Sequence, residues 1–313
     1  MAAGAARPRR NMLSHMKIAV IGLGDIAQKA YLPVLGAQPG LELHLHTRSR
    51  ATLDRVGDAY RIANRHPTLD GLLDQGLDAA FVHAPTDHHV AIAERLLEAG
   101  VPVYLDKPLA ADLAGAERLV RLAADRRVSL MTGFNRRYAP AYTQCLDHPR
   151  DLILMQKNRI GLPGAARTFV YDDFIHVVDT LRFLLPGAVE DTAVRAKTRD
   201  GAVHHLVLQL SGDGFTAIGV MNRMSGSAEE RLEVSGEDTK REVLNIAEVI
   251  DHKGQPTLRR RGDWVPVARQ RGFEQIILTF LDAVRAGEVL SAWDALETHK
   301  LCERVVEAIT DKG

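Results

Sequence analysis

Cysteine is scarce in this chain. Cys145 and Cys302 are the only two, far apart and in no paired spacing. That argues against a disulfide framework or a thiolate metal site and points to a reducing cytoplasm. Net charge is also lacking: forty basic residues balance forty acidic ones. No strong field therefore draws in nucleic acid or an anionic membrane surface. No apolar run approaches the ~20 residues that a membrane span needs. Lysine is sparse as well, nine against thirty-one arginines, which we read as a genomic base bias rather than as function. The chain shows no low-complexity linker and no internal repeat.

What is present is ordinary globular material, 46% hydrophobic and 26% charged, over 313 residues. A single core rarely grows beyond ~250–300 residues, so two domains are expected. Residues 1–15 are small, basic and aperiodic. They read as a disordered tail or a misplaced start, with Met12 or Met16 as alternative starts.

The first half alternates strand and helix. Apolar β-branched or alternating runs at 16–22, 41–47, 79–84, 101–105 and 129–134 read as strands. Helical patterns at 25–36, 51–60, 89–99 and 113–126 separate them. Repeated β-α units at this spacing predict an α/β fold with a parallel, doubly wound sheet over residues 16–134. Residues 135–313 change character. Runs at 152–159, 203–210, 215–221, 230–235, 243–250 and 256–261 are broken by glycines, a pattern that suits an antiparallel meander. Helices are expected at 173–185, 273–286 and 293–309. The 273–286 helix is expected to close the meander, and the last helix to pack back on the first domain.

The chemistry begins at Gly22-Leu23-Gly24-Asp25-Ile26-Ala27, between the first strand and its helix. This is G-x-G-x-x-A, the dinucleotide fingerprint, which places a pyrophosphate against a helix N-terminus. The second strand ends at Thr47-Arg48-Ser49-Arg50. An NAD enzyme usually offers a carboxylate there, whereas hydroxyls and guanidinium groups suit a 2′-phosphate. NADP is therefore expected over NAD. Ligands in such sheets sit at the carboxyl ends of strands. Pro85 and His89 follow the third run, Asp106-Lys107-Pro108 the fourth, and Asn135-Arg136-Arg137 the fifth. Asp172 and His176 are four apart, so a helix would set them on one face. There the carboxylate would orient the imidazole and raise its basicity. The alternative for Asp172 is a helix cap. No metal is expected, since these groups are accounted for by proton transfer.

These motifs resemble the Gfo/Idh/MocA oxidoreductase family over 16–309. Gly22, Gly24 and Ala27 match its glycine motif, Asp106-Lys107-Pro108 its E-K-P motif, and Asp172 with His176 its D-x-x-x-H motif. The runs 105–110, 132–140 and 172–179 resemble the MviM branch. The resemblance implies a Rossmann domain followed by an α+β domain with a largely antiparallel open sheet. It implies NAD(P)-dependent hydride transfer on a sugar, inositol or related carbonyl compound, with Lys107 catalytic. Asn135, Arg136, Arg137, Asp172 and His176 are expected to contact substrate. Asp106 is one methylene shorter than the family's Glu, and Phe174 stands where a glycine is usual. His176 is expected to be the acid/base, because an unperturbed imidazole titrates near pH ~6.5. Lys107 would then orient and stabilise charge. A homodimer or homotetramer is expected through the open sheet. A catalytically silent NADP-binding sensor of the same fold is the alternative function.

Overall fold

The structure is a computed structural model that describes residues 15–311. The tail expectation for 1–15 lies, apart from His15, outside the described residues. β1 (Met16–Ile21), β2 (Leu41–His46), β3 (Asn64–His66), β4 (Ala79–Val82), β5 (Val103–Leu105) and β6 (Leu130–Thr132) form one parallel sheet. Their order is 3-2-1-4-5-6, the arrangement in which the order reverses beside β1. The central strands are buried on both faces, so Ile18-Ala19-Val20-Ile21 and Ala79-Ala80-Phe81-Val82 carry no polar residue.

Side chains fix the helix starts. Ser49 Oγ accepts from the Thr52 amide at 3.2 Å and Asp112 Oδ1 from the Gly115 amide at 2.7 Å. Helix Leu113–Arg126 then ends on Arg127 in the left-handed region, at φ 53°. Two short elements were not legible: β3 and helix Leu69–Leu73, whose cap is Thr68. Neither is long enough to show a period.

The second sheet has eight strands in the order 14-13-12-11-7-10-9-8. They are β7 (Leu152–Lys157), β8 (Asp191–Arg199), β9 (Ala202–Gly212), β10 (Phe215–Asn222), β11 (Glu230–Gly236), β12 (Thr239–Leu244), β13 (Glu248–His252) and β14 (Thr257–Arg260). Only β7 and β10 run parallel; every other pair is antiparallel. β8 was missed, because its mostly exposed residues give no apolar alternation. The expected strand over 243–250 is in fact two strands. Asn245 and Ile246 take φ 51° and 58°, which turns the chain sharply between β12 and β13.

Two helices join the sheets. Helix Phe273–Ala286 does not close the meander. Its Phe280 packs edge-on against Phe81, with ring centroids 5.2 Å apart, and its Ile276 and Ile277 share that core. Its expected place therefore needs correcting: it covers the first sheet. Helix Trp293–Thr310 lies against helices Leu113–Arg126 and Ile175–Leu184. There His299 Nε2 accepts from the Leu109 amide at 2.9 Å, while Nδ1 faces the Ala295 carbonyl at 2.8 Å.

Candidate active site

The glycine turn is built for close approach. Gly22 has φ +86°, and a Cβ there would stand 2.5 Å from the Ala84 amide nitrogen. A Cβ on Gly24 would meet nothing within 4 Å, so the backbone faces open space. Ala27 is buried against the sheet. Beside the turn runs a crevice of about 950 Å³, lined by Asp25, Ile26, Thr47, Arg48, Ser49 and Pro85 among others. The turn, the open backbone and the helix that follows fit a dinucleotide pyrophosphate. Arg50 departs from this set. It turns back along its helix to Asp54, Nε to Oδ2 2.8 Å, which leaves Arg48 as the arginine of this loop that lines the crevice.

A second cleft of about 620 Å³ adjoins it. The two share Ile26, His83, Ala84 and Pro85 as common wall. Lys107, Asp106, Asn135, Arg136 and His176 all line this second cleft. Lys107 Nζ donates to the Asp172 carbonyl at 2.6 Å. Burial lowers the pKa of its ammonium, an effect that Asp106, Asp173 and Asp172 only partly offset. Asp106 Oδ1 accepts the Lys107 amide at 2.8 Å, and Oδ2 lies 3.4 Å from His83 Nδ1. Burial pushes the Asp106 carboxyl up, but His83 and Lys107 together bring it below its ordinary value.

The expected Asp172–His176 pair does not form. Residues Val170–Phe174 make a π-helical turn, which breaks the i, i+4 alignment that an α-helix would give. The Asp172 side chain is exposed, and its contribution to the site is its backbone carbonyl. His176 Nδ1 instead faces Arg136 Nη1 at 2.7 Å. A guanidinium can only donate, so Nδ1 accepts and the proton of the neutral ring sits on Nε2. Burial, then Arg136, Lys107, Lys157 and Arg159, push the His176 pKa well below its ordinary value. The expected rise in basicity is thus reversed.

Arg136 is locked by Glu230. Nε and Nη2 reach the two carboxylate oxygens at 2.8 and 2.7 Å, and Tyr142 adds a hydroxyl bond of 2.8 Å. Burial raises the Glu230 pKa, but Arg136 outweighs it and holds the carboxyl at about 2. Asn135 Nδ2 donates to the Arg271 carbonyl at 2.7 Å. Arg137 turns away from the cleft. It pairs with buried Asp179 and with Asp294 on the last helix, so it braces the fold and does not line the cleft. His89 is buried, with its ring nitrogens 2.7 and 2.8 Å from the carbonyls of Pro108 and Ala84. It ties together the two loops that border the cleft.

Sequence reasoning missed His83, Lys157, Arg159 and Glu230. His83 sits at the junction of the two clefts, and its ring lies 3.9 Å from the Tyr31 ring. Lys157 and Arg159 flank Asn158 where β7 leaves the core. Polar residues ending an apolar strand were the available signal. Among the described residues no group of three or more His, Cys, Asp or Glu could hold a metal ion. Among them, too, no helix is long and apolar enough to cross a membrane.

Comparisons with known proteins converge on this geometry. Residues 16–134 match the model of an oxidoreductase family with an NAD-binding Rossmann fold, and 140–253 match a YceM-like C-terminal domain. The YceM protein of Salmonella typhimurium is 36% identical over 94% of this chain and 97% of its own. A Gfo/Idh/MocA family oxidoreductase from Vibrio cholerae superposes with a TM-score of 0.90 at 32% identity, covering 95% and 99% of the two chains. The dehydrogenase MviM from Clostridium difficile follows at 0.87 and 29%, with the same coverage. With its fingerprint glycines at the reversal of a 3-2-1-4-5-6 sheet and Lys107 in the adjoining cleft, the chain belongs to the Gfo/Idh/MocA family and is an NAD(P)-dependent oxidoreductase acting on CH–OH or carbonyl groups.

Proposed function

We propose that the protein moves hydride between a nicotinamide and a small polar carbonyl or hydroxyl compound of the sugar or inositol type. The observation that carries this reading is the convergence of Lys107 and His176 on one cleft continuous with the glycine crevice. NAD(P), when bound, supplies the hydride acceptor or donor. Gly22, Gly24, Asp25, Ile26 and Ala27 would hold its pyrophosphate end, and Thr47, Arg48 and Ser49 its adenosine ribose. Arg48 and the absence of a carboxylate in that loop favour NADP. Asp106, Pro85 and Lys107 border the nicotinamide end.

The proton roles follow from the tautomer and are the reverse of those expected from sequence. His176, neutral with its proton on Nε2, donates a hydrogen bond to the substrate oxygen and orients it. A second ring proton would have to go to Nδ1, which Arg136 already occupies, so the ring does not take up the substrate's proton. Lys107, its pKa lowered by burial, takes the hydroxyl proton during oxidation and returns it during reduction. Asp172 fixes the Lys107 ammonium through its carbonyl. We assign the cofactor to 16–134 and the substrate to 135–313, with helix Phe273–Ala286 returning to cover the cofactor sheet.

Turnover of a sugar, polyol and ketone panel with NADPH or NADP tests this, with Lys107→Ala as control. Cofactor-dependent turnover abolished in the variant is expected. Tight nicotinamide binding without turnover of any member would overturn the reading.

A further inference from the structure

The inner wall of the cleft carries more positive charge than its carboxylates match. Arg136 is neutralised one-to-one by Glu230. Deeper in, a single carboxylate serves three cations. Lys157 Nζ lies 2.7 Å from Asp173 Oδ1, Arg159 holds both oxygens at 2.8 and 2.9 Å, and Arg223 stands 3.5 Å away. Glu229, the other carboxylate on this wall, accepts from neutral donors, Asn158 Nδ2 and Ser227 Oγ, each at 2.9 Å.

Lys157 is the side chain at issue. It is 4% exposed, yet it lines the cleft. One of its three N–H groups is used by Asp173, which leaves two donors on a buried ammonium. Arg159 lines the same wall and is half-exposed. Behind them Arg223 packs over the Phe169 ring at 4.5 Å, with its buried Nε lacking a partner. Burying several like charges is costly unless an anion completes the set. Burial and then Arg136 push Lys157 down to about 8, and burial first, then Arg136, Lys107, Lys157 and Arg159, depress His176.

We infer that the substrate is an acidic sugar or polyol whose carboxylate or phosphate is seated on Lys157 and Arg159. Its reacting carbon then lies toward Lys107 and His176. This inference rests on the proposed dehydrogenase reading and names its substrate class. The anion fills the free donors of Lys157 and holds the chain of carbons in one direction. A neutral polyol leaves those buried charges unmatched, so selectivity arises from the unsatisfied alternative as much as from the new contact.

The test pairs acids with their neutral counterparts: gluconate with glucitol, glucuronate with glucose, and glucose 6-phosphate with glucose. Full-length, NADP(H)-loaded protein is titrated with each by calorimetry and assayed for turnover. One acidic member should exceed its neutral partner by roughly 10–100-fold in affinity or kcat/KM, the worth of a charge-assisted hydrogen bond. Whether gluconate, glucuronate or the phosphate wins identifies the anion. Lys157→Met and Arg159→Gln should each erase most of that preference while NADPH affinity stays near wild type. Equal or better handling of the neutral member overturns the inference, as does binding of none, or a preference unchanged in both variants. Acid-selective binding without turnover would sink the dehydrogenase reading and leave the anion seat standing.

Discussion

Arg136 Nη1 lies 2.7 Å from His176 Nδ1, and that contact fixes which nitrogen of the imidazole carries the proton. It follows that a residue able to donate one hydrogen bond can partly replace His176. His176→Gln should retain more kcat than His176→Leu. Lys107→Ala should cost about 10²–10⁴-fold, the range for a lost acid/base group. The oxidation rate should rise with pH through a lysine pKa lowered from its ordinary value. If both His176 variants lost activity equally while Lys107→Ala retained it, the roles would be the other way round.

Gly22 and Gly24 should separate fold from ligand binding. Gly22→Ala places a side chain at φ +86° and against the Ala84 amide, so it should lower the melting temperature. Gly24→Val has open space in the free protein. It should leave melting near wild type yet weaken NADPH binding by steric conflict, measurable by fluorescence titration. Unchanged affinity in Gly24→Val would mean the pyrophosphate lies elsewhere.

Arg48 should set the cofactor preference. Arg48→Asp opposes a negative charge to a 2′-phosphate, so the ratio of NADH to NADPH dissociation constants should fall. A ratio that does not move would remove this loop from the recognition of the phosphate.

Acid should unfold the protein in two stages. His299 is buried and His176 half-buried at the cleft, and both are neutral with lowered pKa values, that of His299 at about 4 through burial. Below about pH 6.5 the unfolded chain binds protons there that the native state refuses, so stability declines as pH falls. Glu230 works the other way in sign of charge but in the same direction of pH. Its native value of about 2 lies below its ordinary 4.5, so its contribution is full above 4.5 and is lost toward 2. Removing one partner of the buried Arg136–Glu230 pair should cost about 3–5 kcal/mol. Denaturant unfolding from pH 8 to 3 reads the profile, and Glu230→Gln should flatten its lower stage.

The outer face of the second sheet should carry a self-association surface. Phe215, Ala217 and Met221 point inward and are buried, whereas Thr216, Ile218 and Val220 face out, near Leu152 and Leu154 of the paired strand β7. A dimer or tetramer by light scattering, converted to monomer by Ile218→Lys, is expected. A wild-type monomer at micromolar concentration would refute it.

The sequence by itself determined the parallel sheet, the glycine turn and Lys107. These are local: a buried strand needs a continuous apolar run, a pyrophosphate needs glycines at fixed offsets, and Lys107 lies two residues past the end of β5. It also bounded helices Leu113–Arg126 and Phe273–Ala286 to the residue, because an amphipathic stripe over fourteen residues is hard to mistake. Only the tertiary structure decided the partners. Arg136 meets His176 forty residues away and Glu230 ninety-four away, and no periodicity encodes such distances. The π-helical turn at Val170–Phe174 rotated Asp172 out of its expected pairing, and a one-residue change of helical pitch leaves no mark in composition. The two neighbouring arginines parted in the same way. Arg136 turned into the cleft and Arg137 toward Asp179, because the short helix Asn135–Tyr138 projects adjacent side chains in different directions, and packing against the last helix chose between them.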